Sequence, residues 1–283
     1  MAEELEYWRK AIPKARDRAQ SRILVWIVGA LLIAGAITPP LAILKFGFPL
    51  WSLTTPLLFS AGFAILVYVL RAATSGASIL GFLICFILAQ SPEAWTPYSP
   101  YSASQSALAA LVAVFVLTFV ATKLGRRKKE ARGLAEPRRG RQASQIVANL
   151  GVAGLFAAAG YYSGCIAALA EAAADTVSSE VGQAAGGPAR LLTNWNAVAP
   201  GTDGGITIIG TVAGLAAAAI VVVFGALHHS LWPRTATVWL SACGGLFFDS
   251  LLGATLERRG WIGNDLVNLS STLFAALLAM TLS

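Results

Sequence analysis

Two carboxylates and two serines share one face of an Ala-rich segment in the second half of the chain. Asp175, Ser178, Ser179 and Gly182 are spaced i, i+3, i+4 and i+7, and Glu171 lies one helical turn before Asp175. Ionisable side chains are costly inside a bilayer, so carboxylates retained in an apolar helix indicate a functional site. A helix end that emerges into water would explain them more simply, and the spacing alone leaves both interpretations open.

A second acidic stripe is formed by Asp249, Gly253 and Glu257, each four residues after the last. Asp249 lies inside the apolar segment Val238–Leu256, with apolar residues on both sides. An unpaired carboxylate in that position would cost several kcal/mol. We therefore expect Asp249 to meet a cation, a hydrogen-bond donor or a proton.

Pro200–Gly205 is a glycine-rich loop that precedes an apolar segment. It lacks the lysine of a Walker A motif and is not a P-loop. Its glycines nevertheless allow backbone N–H groups to form a concave anion site, next to the N-terminus of the following helix. Considered alone, Gly201, Gly204 and Gly205 are ordinary turn residues.

The last polar group, Asn264-Asp265 with Asn268 one turn later, opens the final apolar segment. Asn264 or Asp265 would serve as an N-cap, which is the simpler role for either residue.

Composition determines what kind of protein must position these groups. The 283 residues are 56% hydrophobic and 12% charged, with a mean hydropathy of +0.66. Soluble domains carry about 25% charged residues, so this is the composition of a multi-pass integral membrane protein. We predict an all-α membrane bundle in which the lipid bilayer is a partner and nucleic acid is not. The sequence does not indicate an oligomeric state.

Apolar segments of helical length predict nine membrane crossings, with the N-terminus cytoplasmic. In this topology 19 of the 21 Lys and Arg residues are cytoplasmic, as the positive-inside rule requires, and the motif-bearing loops lie on that same side. In a bacterium the membrane would be the inner membrane. The nine segments are Ile23–Ile43, Leu50–Leu70, Ser78–Leu88, Ala107–Ala121, Gln145–Tyr161, Ser163–Ala174, Ile206–Leu227, Val238–Leu256 and Leu266–Leu282.

Charge divides the chain into four regions. Residues 1–22 are predicted to form an amphipathic segment on the cytoplasmic membrane surface, and residues 23–122 a four-helix membrane region. Residues 123–144 form a basic cytoplasmic loop, in which Lys123–Arg141 carries nine Lys and Arg against two Glu. Residues 145–283 form the membrane core with the acidic and glycine motifs. The basic loop either orients the protein and attracts anionic lipid, or contacts a phosphorylated ligand directly.

Seven short segments, in this order, resemble the family of polytopic membrane proteins that contains the phytyl-phosphate kinase of tocopherol synthesis and transmembrane protein 19. They cover about the C-terminal 160 residues, whereas the first four apolar segments are similar only in hydropathy. The seven are Thr122–Gly125, Gln145–Asn149, Ala174–Gly182, Pro200–Thr207, Gly210-Thr211 with Gly214, Asp249–Ala254 and Gly263–Asn268.

The resemblance implies CTP-dependent phosphorylation of a prenyl monophosphate, phytyl or geranylgeranyl, to the diphosphate. It implies CTP as phosphoryl donor. Such a reaction brings two polyanions together, which calls for metal ions and hydrogen-bond donors, so we expect Mg²⁺ as cofactor and a site built from the motif residues. The catalytic candidates are Asp175, Glu180, Asp249, Asn264 and Asp265, and the metal candidates are Asp175, Glu180, Asp249 and Glu257. The candidates for nucleotide or phosphate binding are Lys123, Ser179, Gly201, Thr202, Asp203, Gly204, Gly205, Thr211 and Asn268.

Two other functions are compatible with the same residues. An ion-coupled secondary transporter would also contain intramembrane acids and glycine-interrupted helices, although the two halves of this chain show no inverted repeat. A non-enzymatic membrane protein that binds a lipid phosphate would need the basic and glycine-rich groups alone.

Overall fold

Nine helices of 15 residues or more occur in the residues that the computed structural model describes, which are 12–47, 51–90, 107–135, 140–227 and 229–282. They coincide with the nine predicted apolar segments, and the all-α prediction is confirmed. The long helices are α1 Lys14–Phe46, α2 Trp51–Val69, α3 Ser75–Ala89, α4 Leu108–Lys123, α6 Ala143–Ala158, α7 Tyr162–Ala185, α8 Ile208–Gly225, α9 Thr235–Leu252 and α10 Asn264–Leu282; the short α5 is Arg126–Ala131.

Four spans in the described residues are long and apolar enough to cross a membrane by length and composition. They are Lys14–Thr38, Ile208–Gly225, Leu231–Glu257 and Asn264–Leu282. The count of nine crossings stays a prediction. The surface segment 1–22 stays a prediction: α1 begins at Lys14 and continues without a break into the apolar span, and residues 1–11 lie outside the described residues.

Helix α7 is the centre of the bundle and packs against α4, α6, α8, α9 and α10. Its Ala-rich sequence makes this possible because small side chains let neighbouring helices approach closely. Helix α8 approaches α7 closely, since a Cβ on Gly214 would lie 2.7 Å from the carbonyl oxygen of Ala174. The polar C-terminal half of α7 is therefore held tightly against the start of α8.

Between α7 and α8 the chain forms a small antiparallel sheet that the sequence pattern did not predict. Its strands are β1 Ala189–Leu191, β2 Ala197–Val198 and β3 Gly205–Ile206, in the order β2-β1-β3. Ala189 is opposite Val198 and Arg190 is opposite Ile206. The sheet fixes both ends of the glycine loop, which runs from β2 to β3.

The polar segments meet at one end of the bundle. The segment before α6 pairs with the α2–α3 connection, where Ala73 and Arg141 form a parallel bridge. At the same end, the first turns of α1 bind the loop before α10: Arg16 donates to the carbonyl of Gly260 and Gln20 to that of Trp261. The contacts thus join the polar groups at one face, as predicted. Which side of the membrane this end faces stays a prediction.

Candidate functional site

A cavity of ≈ 370 Å³ lies at this polar end, between the C-terminal half of α7, the glycine loop, the end of α9 and the start of α10. The sequence motifs that line it are far apart in the chain and are brought together only by the fold. Twelve of the fifteen predicted site residues line this cavity: Asp175, Ser179, Glu180, Gly201, Thr202, Asp203, Gly204, Gly205, Asp249, Glu257, Asn264 and Asn268.

Three carboxylates from α7 and α9 lie within electrostatic range of one another: Glu171, Asp175 and Asp249. Helix α10 supports them, because the Ser271 hydroxyl donates to Oδ2 of Asp249 at 3.1 Å. Ionised carboxylates that lie near one another at the end of an apolar bundle repel, and a cation or a proton among them offsets this repulsion. The three carboxylates therefore form one acidic cluster at this end of the bundle.

Glu171 is the deepest of the three carboxylates and is only 1% exposed. Its Oε1 has no hydrogen-bond partner among the described residues. The absence of a side chain at Gly245 makes room for it, since a Cβ there would contact the Glu171 side chain and lie 3.1 Å from the carbonyl oxygen of Ser271. Glu171 lies below the cavity lining, one helical turn from Asp175.

The second acidic group lies where α9 ends. There the chain forms a π-helical turn, Gly253–Glu257, a feature that often marks functional sites. Glu257 lies within electrostatic range of Asp203 in the glycine loop and of Asp175. The acidic stripe predicted on α9 therefore faces the acidic helix α7 across the cavity.

The glycine loop packs backbone to backbone on this π-helical turn. A Cβ on Gly253 would lie 2.6 Å from the amide nitrogen of Gly204, and one on Gly204 would lie 2.6 Å from Cβ of Ala254 and closer still to its backbone. Gly204 also has φ +69°, a conformation that side-chain-bearing residues rarely adopt. Position 204 therefore requires glycine, because its backbone is left-handed and there is no room for a side chain.

We expect Gly204→Ala to lower the melting temperature of the purified protein by about 4 °C or more, since left-handed backbone costs a non-glycine residue about 1–2 kcal/mol before any steric overlap. Thermal unfolding in detergent measures the change. Gly187→Ala is the control, because a Cβ there has nothing within 4 Å and the backbone is not left-handed. Equal melting temperatures for the two variants would show that the loop does not pack on Ala254.

Glu180 lines the cavity, but its carboxylate is already paired. It accepts a hydrogen bond from Nζ of Lys129, which also donates to the carbonyls of Ala121 at 3.3 Å and Thr122 at 3.0 Å. Lys129 is 1% exposed and Glu180 is 6% exposed. Because this ion pair joins α4, α5 and α7, we assign Glu180 a structural role and leave it out of the proposed metal ligands.

The remaining carboxylates suit a magnesium ion that arrives with phosphate. Mg²⁺ is usually bound through one or two carboxylates, with substrate phosphates and water completing its octahedral shell. Within the described ranges no three His, Cys, Asp or Glu side chains are arranged to hold a metal ion by themselves. Asp175 and Asp249, from two different helices, are the residues that could hold Mg²⁺ with such a smaller donor set.

Comparison with known proteins identifies the family. The family described as Integral membrane protein DUF92 matches residues 58–276, more than three quarters of the chain. The chain belongs to this family. The match includes every residue that lines the cavity and leaves all of α1 outside.

No solved structure matches the chain. Several individual proteins are similar to it in sequence. An uncharacterized membrane protein of Methanocaldococcus jannaschii is 31% identical, over 72% of this chain and 82% of its own length. Protein VTE6, chloroplastic, of Arabidopsis thaliana is 27% identical, over 89% of this chain and 77% of its own. An uncharacterized membrane protein of Synechocystis sp. is 30% identical, over 60% of this chain and 71% of its own. These matches confirm the resemblance to the phytyl-phosphate kinase family.

We refer to the cavity of ≈ 370 Å³ as the acidic cavity. Three of the predicted site residues do not line it. Asp265 accepts a hydrogen bond from the Ser21 hydroxyl of α1 at 2.6 Å, so its carboxylate joins α10 to α1. Thr211 lies in the first turn of α8, where its backbone N–H donates to the carbonyl of Thr207. Lys123 lines a different cavity, with its ammonium 5.1 Å from the centre of the Phe119 ring.

Sequence reasoning missed four residues that the fold brings to the site: Lys129, Arg141, Gln145 and Asn149. Arg141, Gln145 and Asn149 line the acidic cavity, and Arg141 lies within electrostatic range of Asp175. Lys129 and Arg141 belong to a run of nine cations, in which no pattern separates the buried lysine from its exposed neighbours. For Gln145 and Asn149 a signal existed, because both are in a segment that carries the family resemblance.

Proposed function

We propose that this cavity is the active site of a membrane kinase that transfers the terminal phosphate of a nucleoside triphosphate to a prenyl monophosphate, forming the prenyl diphosphate. CTP is the proposed donor and a phytyl or geranylgeranyl monophosphate the proposed acceptor. The observation that carries the proposal is the convergence, in one cavity, of Asp175 and Asp249 with the glycine loop 200–205. The family resemblance supports the choice of donor and acceptor.

The reaction makes particular demands that these residues meet. An oxygen of the acceptor phosphate forms a bond to the γ-phosphorus, the bond from that phosphorus to the β,γ-bridging oxygen breaks, and the nucleoside diphosphate leaves. A phosphomonoester is mostly ionised at pH 7, so the acceptor needs no general base. The difficulty is to bring two polyanions together, which calls for positioned cations and hydrogen-bond donors.

Each group has a role in this scheme. Asp175 and Asp249 would hold Mg²⁺, which when bound neutralises phosphate charge. The left-handed Gly201 and Gly204 shape a concave backbone, and its remaining N–H groups would donate to the nucleotide phosphates; those of Thr202 and Gly205 already donate to the carbonyls of Ala199 and Thr202. Arg141 would contribute a cation beside Asp175. Asn264 and Asn268 line the wall formed by α10 and would supply amide groups.

The test is a transfer assay with purified protein in detergent or nanodiscs. Terminally labelled CTP and geranylgeranyl monophosphate should yield labelled geranylgeranyl diphosphate when Mg²⁺ is present, and EDTA should abolish the product. Asp175→Asn should reduce the rate by about 100-fold or more, as expected when a charge-stabilising group is removed. Absence of transfer with every common nucleoside triphosphate and with both prenyl chains would exclude the kinase.

One observation favours a second candidate, an ion-coupled carrier. Glu171 is a buried acid in a helix of the membrane bundle, and its Oε1 has no partner among the described residues. Acids of this kind occur in proton and ion pathways. If the transfer assay fails, proton-driven uptake of a prenyl phosphate into proteoliposomes, lost in Glu171→Gln, would support the carrier.

A further inference from the structure

A second and larger cavity, of ≈ 940 Å³, lies between α2, α3, α4 and α6. Its volume is within the range of about 300–1,000 Å³ that is typical of small-molecule sites. The interior is apolar, and six side chains characterise it: Phe63, Val67, Ile84, Leu111, Phe115 and Ile146. We refer to this cavity as the apolar groove. It is formed largely by the region whose sequence resembles the family only in hydropathy.

One end of the apolar groove is strongly basic. The lining there includes one acid, Glu130, which forms an ion pair with Arg126 at 3.0 Å. An apolar interior with a cationic mouth is complementary to a molecule with a long hydrocarbon tail and an anionic head. A nucleotide would match the mouth and not the interior. The cations of the mouth are Arg71, Lys123, Arg126, Arg127, Lys128 and Arg141.

The apolar groove and the acidic cavity share two lining residues, Arg141 and Asn149. The backbone of Arg141 is fixed by the α2–α3 connection: its N–H donates to the carbonyl of Ala72, and its carbonyl accepts from Thr74. Its guanidinium donates to the Thr176 hydroxyl of α7 at 3.3 Å. Arg141 is thus a fixed cation at the boundary between the two cavities.

We infer that the apolar groove binds the acceptor, a single-chain prenyl monophosphate, with its tail in the groove and its phosphate at Arg141. This inference rests on the proposed function and extends it, because it separates an acceptor site from a donor site. The acceptor oxygen would then face the acidic cavity, where the nucleotide binds. Lys123 and Arg126 contact the lipid phosphate in this arrangement, and not the nucleotide.

A photo-cross-linking experiment tests the groove without requiring turnover. The probe is geranylgeranyl monophosphate with a diazirine at the end of its tail, incubated with the full-length protein and mapped by peptide mass spectrometry. We expect labelling of the α2, α3 and α4 segments that line the groove. Excess unlabelled geranylgeranyl monophosphate should compete, whereas geranylgeraniol and phosphatidic acid, the two-chain alternative, should compete poorly.

Two glycine variants provide a matched pair. Gly81 lines the apolar groove and Gly62 lies on an exposed surface of α2, and a Cβ at either position has nothing within 4 Å. Gly81→Leu fills the groove and should reduce labelling by about tenfold or more, by analogy with misfit in other hydrophobic pockets. Gly62→Leu should label as the unmodified protein does. Melting temperatures confirm that both variants are folded.

The outcomes separate this inference from the proposed function. Labelling outside the groove, equal labelling of Gly81→Leu and Gly62→Leu, or effective competition by phosphatidic acid would overturn the groove assignment, even if the kinase is active. Labelling in the groove without any phosphoryl transfer would reject the kinase and retain the lipid-phosphate site.

Arg141→Leu tests the head-group contact by steady-state kinetics. The KM for geranylgeranyl monophosphate should rise about tenfold or more, because a charged hydrogen-bonding partner of the phosphate is lost. The KM for CTP should change little. A rise confined to the KM for CTP would place Arg141 on the nucleotide and overturn the proposed order of the two sites.

Discussion

Replacing Asp249 by Asn should reduce the rate of phosphoryl transfer by about 100-fold or more, while the helical bundle stays folded. Asp249 lies in α9 within electrostatic range of Asp175, and its Oδ2 accepts a hydrogen bond from Ser271. The substitution keeps the shape and the acceptor oxygen for Ser271 but removes the charge that a metal–phosphate complex requires. Initial rates with labelled CTP and geranylgeranyl monophosphate measure the loss.

Asp265→Asn is the matched control for this experiment. Asp265 undergoes the same chemical change at the same end of the bundle, but it is bonded to Ser21 and does not line the cavity. We expect it to retain transfer activity within a few-fold of the unmodified protein. Equal loss in both variants would mean that activity responds to any lost carboxylate at this end, and normal activity of Asp249→Asn would remove Asp249 from the site.

Asp249 also shows which part of the site can be predicted from sequence. A carboxylate within an apolar span has few structural explanations, so its chemistry is conspicuous before any fold is known. The glycine loop was predicted by similar reasoning, because closely spaced glycines mark a backbone conformation that other residues avoid. Helix-length apolar segments then indicated the architecture, and the nine long helices of the described residues lie where those segments were placed.

The parts that sequence reasoning missed depend on contacts between distant segments. Arg141 becomes a boundary residue only because its backbone pairs with Ala72 and Thr74 and its side chain reaches Thr176. No local pattern encodes those partners. The apolar groove is likewise a space between helices, and hydropathy shows that α2, α3 and α4 are apolar without showing that they leave a gap. The β-strands of two or three residues are too short for an alternating pattern to appear.

The two cavities distribute charge in a way that suits a reaction between two anions. The acidic cavity contains carboxylates that need a cation, and a nucleotide bound with Mg²⁺ would supply that cation. The mouth of the apolar groove contains cations that need an anion, and a lipid phosphate would supply that anion. Arg141 is common to both and would screen the repulsion where the two substrates meet. A carrier for one lipid phosphate would not need this division.

The ion pair of Lys129 and Glu180 gives the last prediction. Lys129→Met should destabilise the protein by about 3–5 kcal/mol, because it leaves the buried Glu180 carboxylate without its partner. Lys128→Met, at the exposed neighbouring position, should change the melting temperature little. The double variant Lys129→Met/Glu180→Gln should recover most of the loss, because it no longer leaves an uncompensated charge buried. Thermal unfolding in detergent of the unmodified protein, the single variants Lys129→Met and Glu180→Gln, and the double variant completes the double-mutant cycle.

The same double variant distinguishes the two roles considered for Glu180. If Glu180 serves only to join α7 to α4 and α5, the double variant should be both folded and active in the transfer assay, because Asp175 and Asp249 are intact. A folded double variant that has lost transfer would return Glu180 to the metal ligands. Additive destabilisation, with no recovery in the double variant, would show that the ion pair does not hold these helices together.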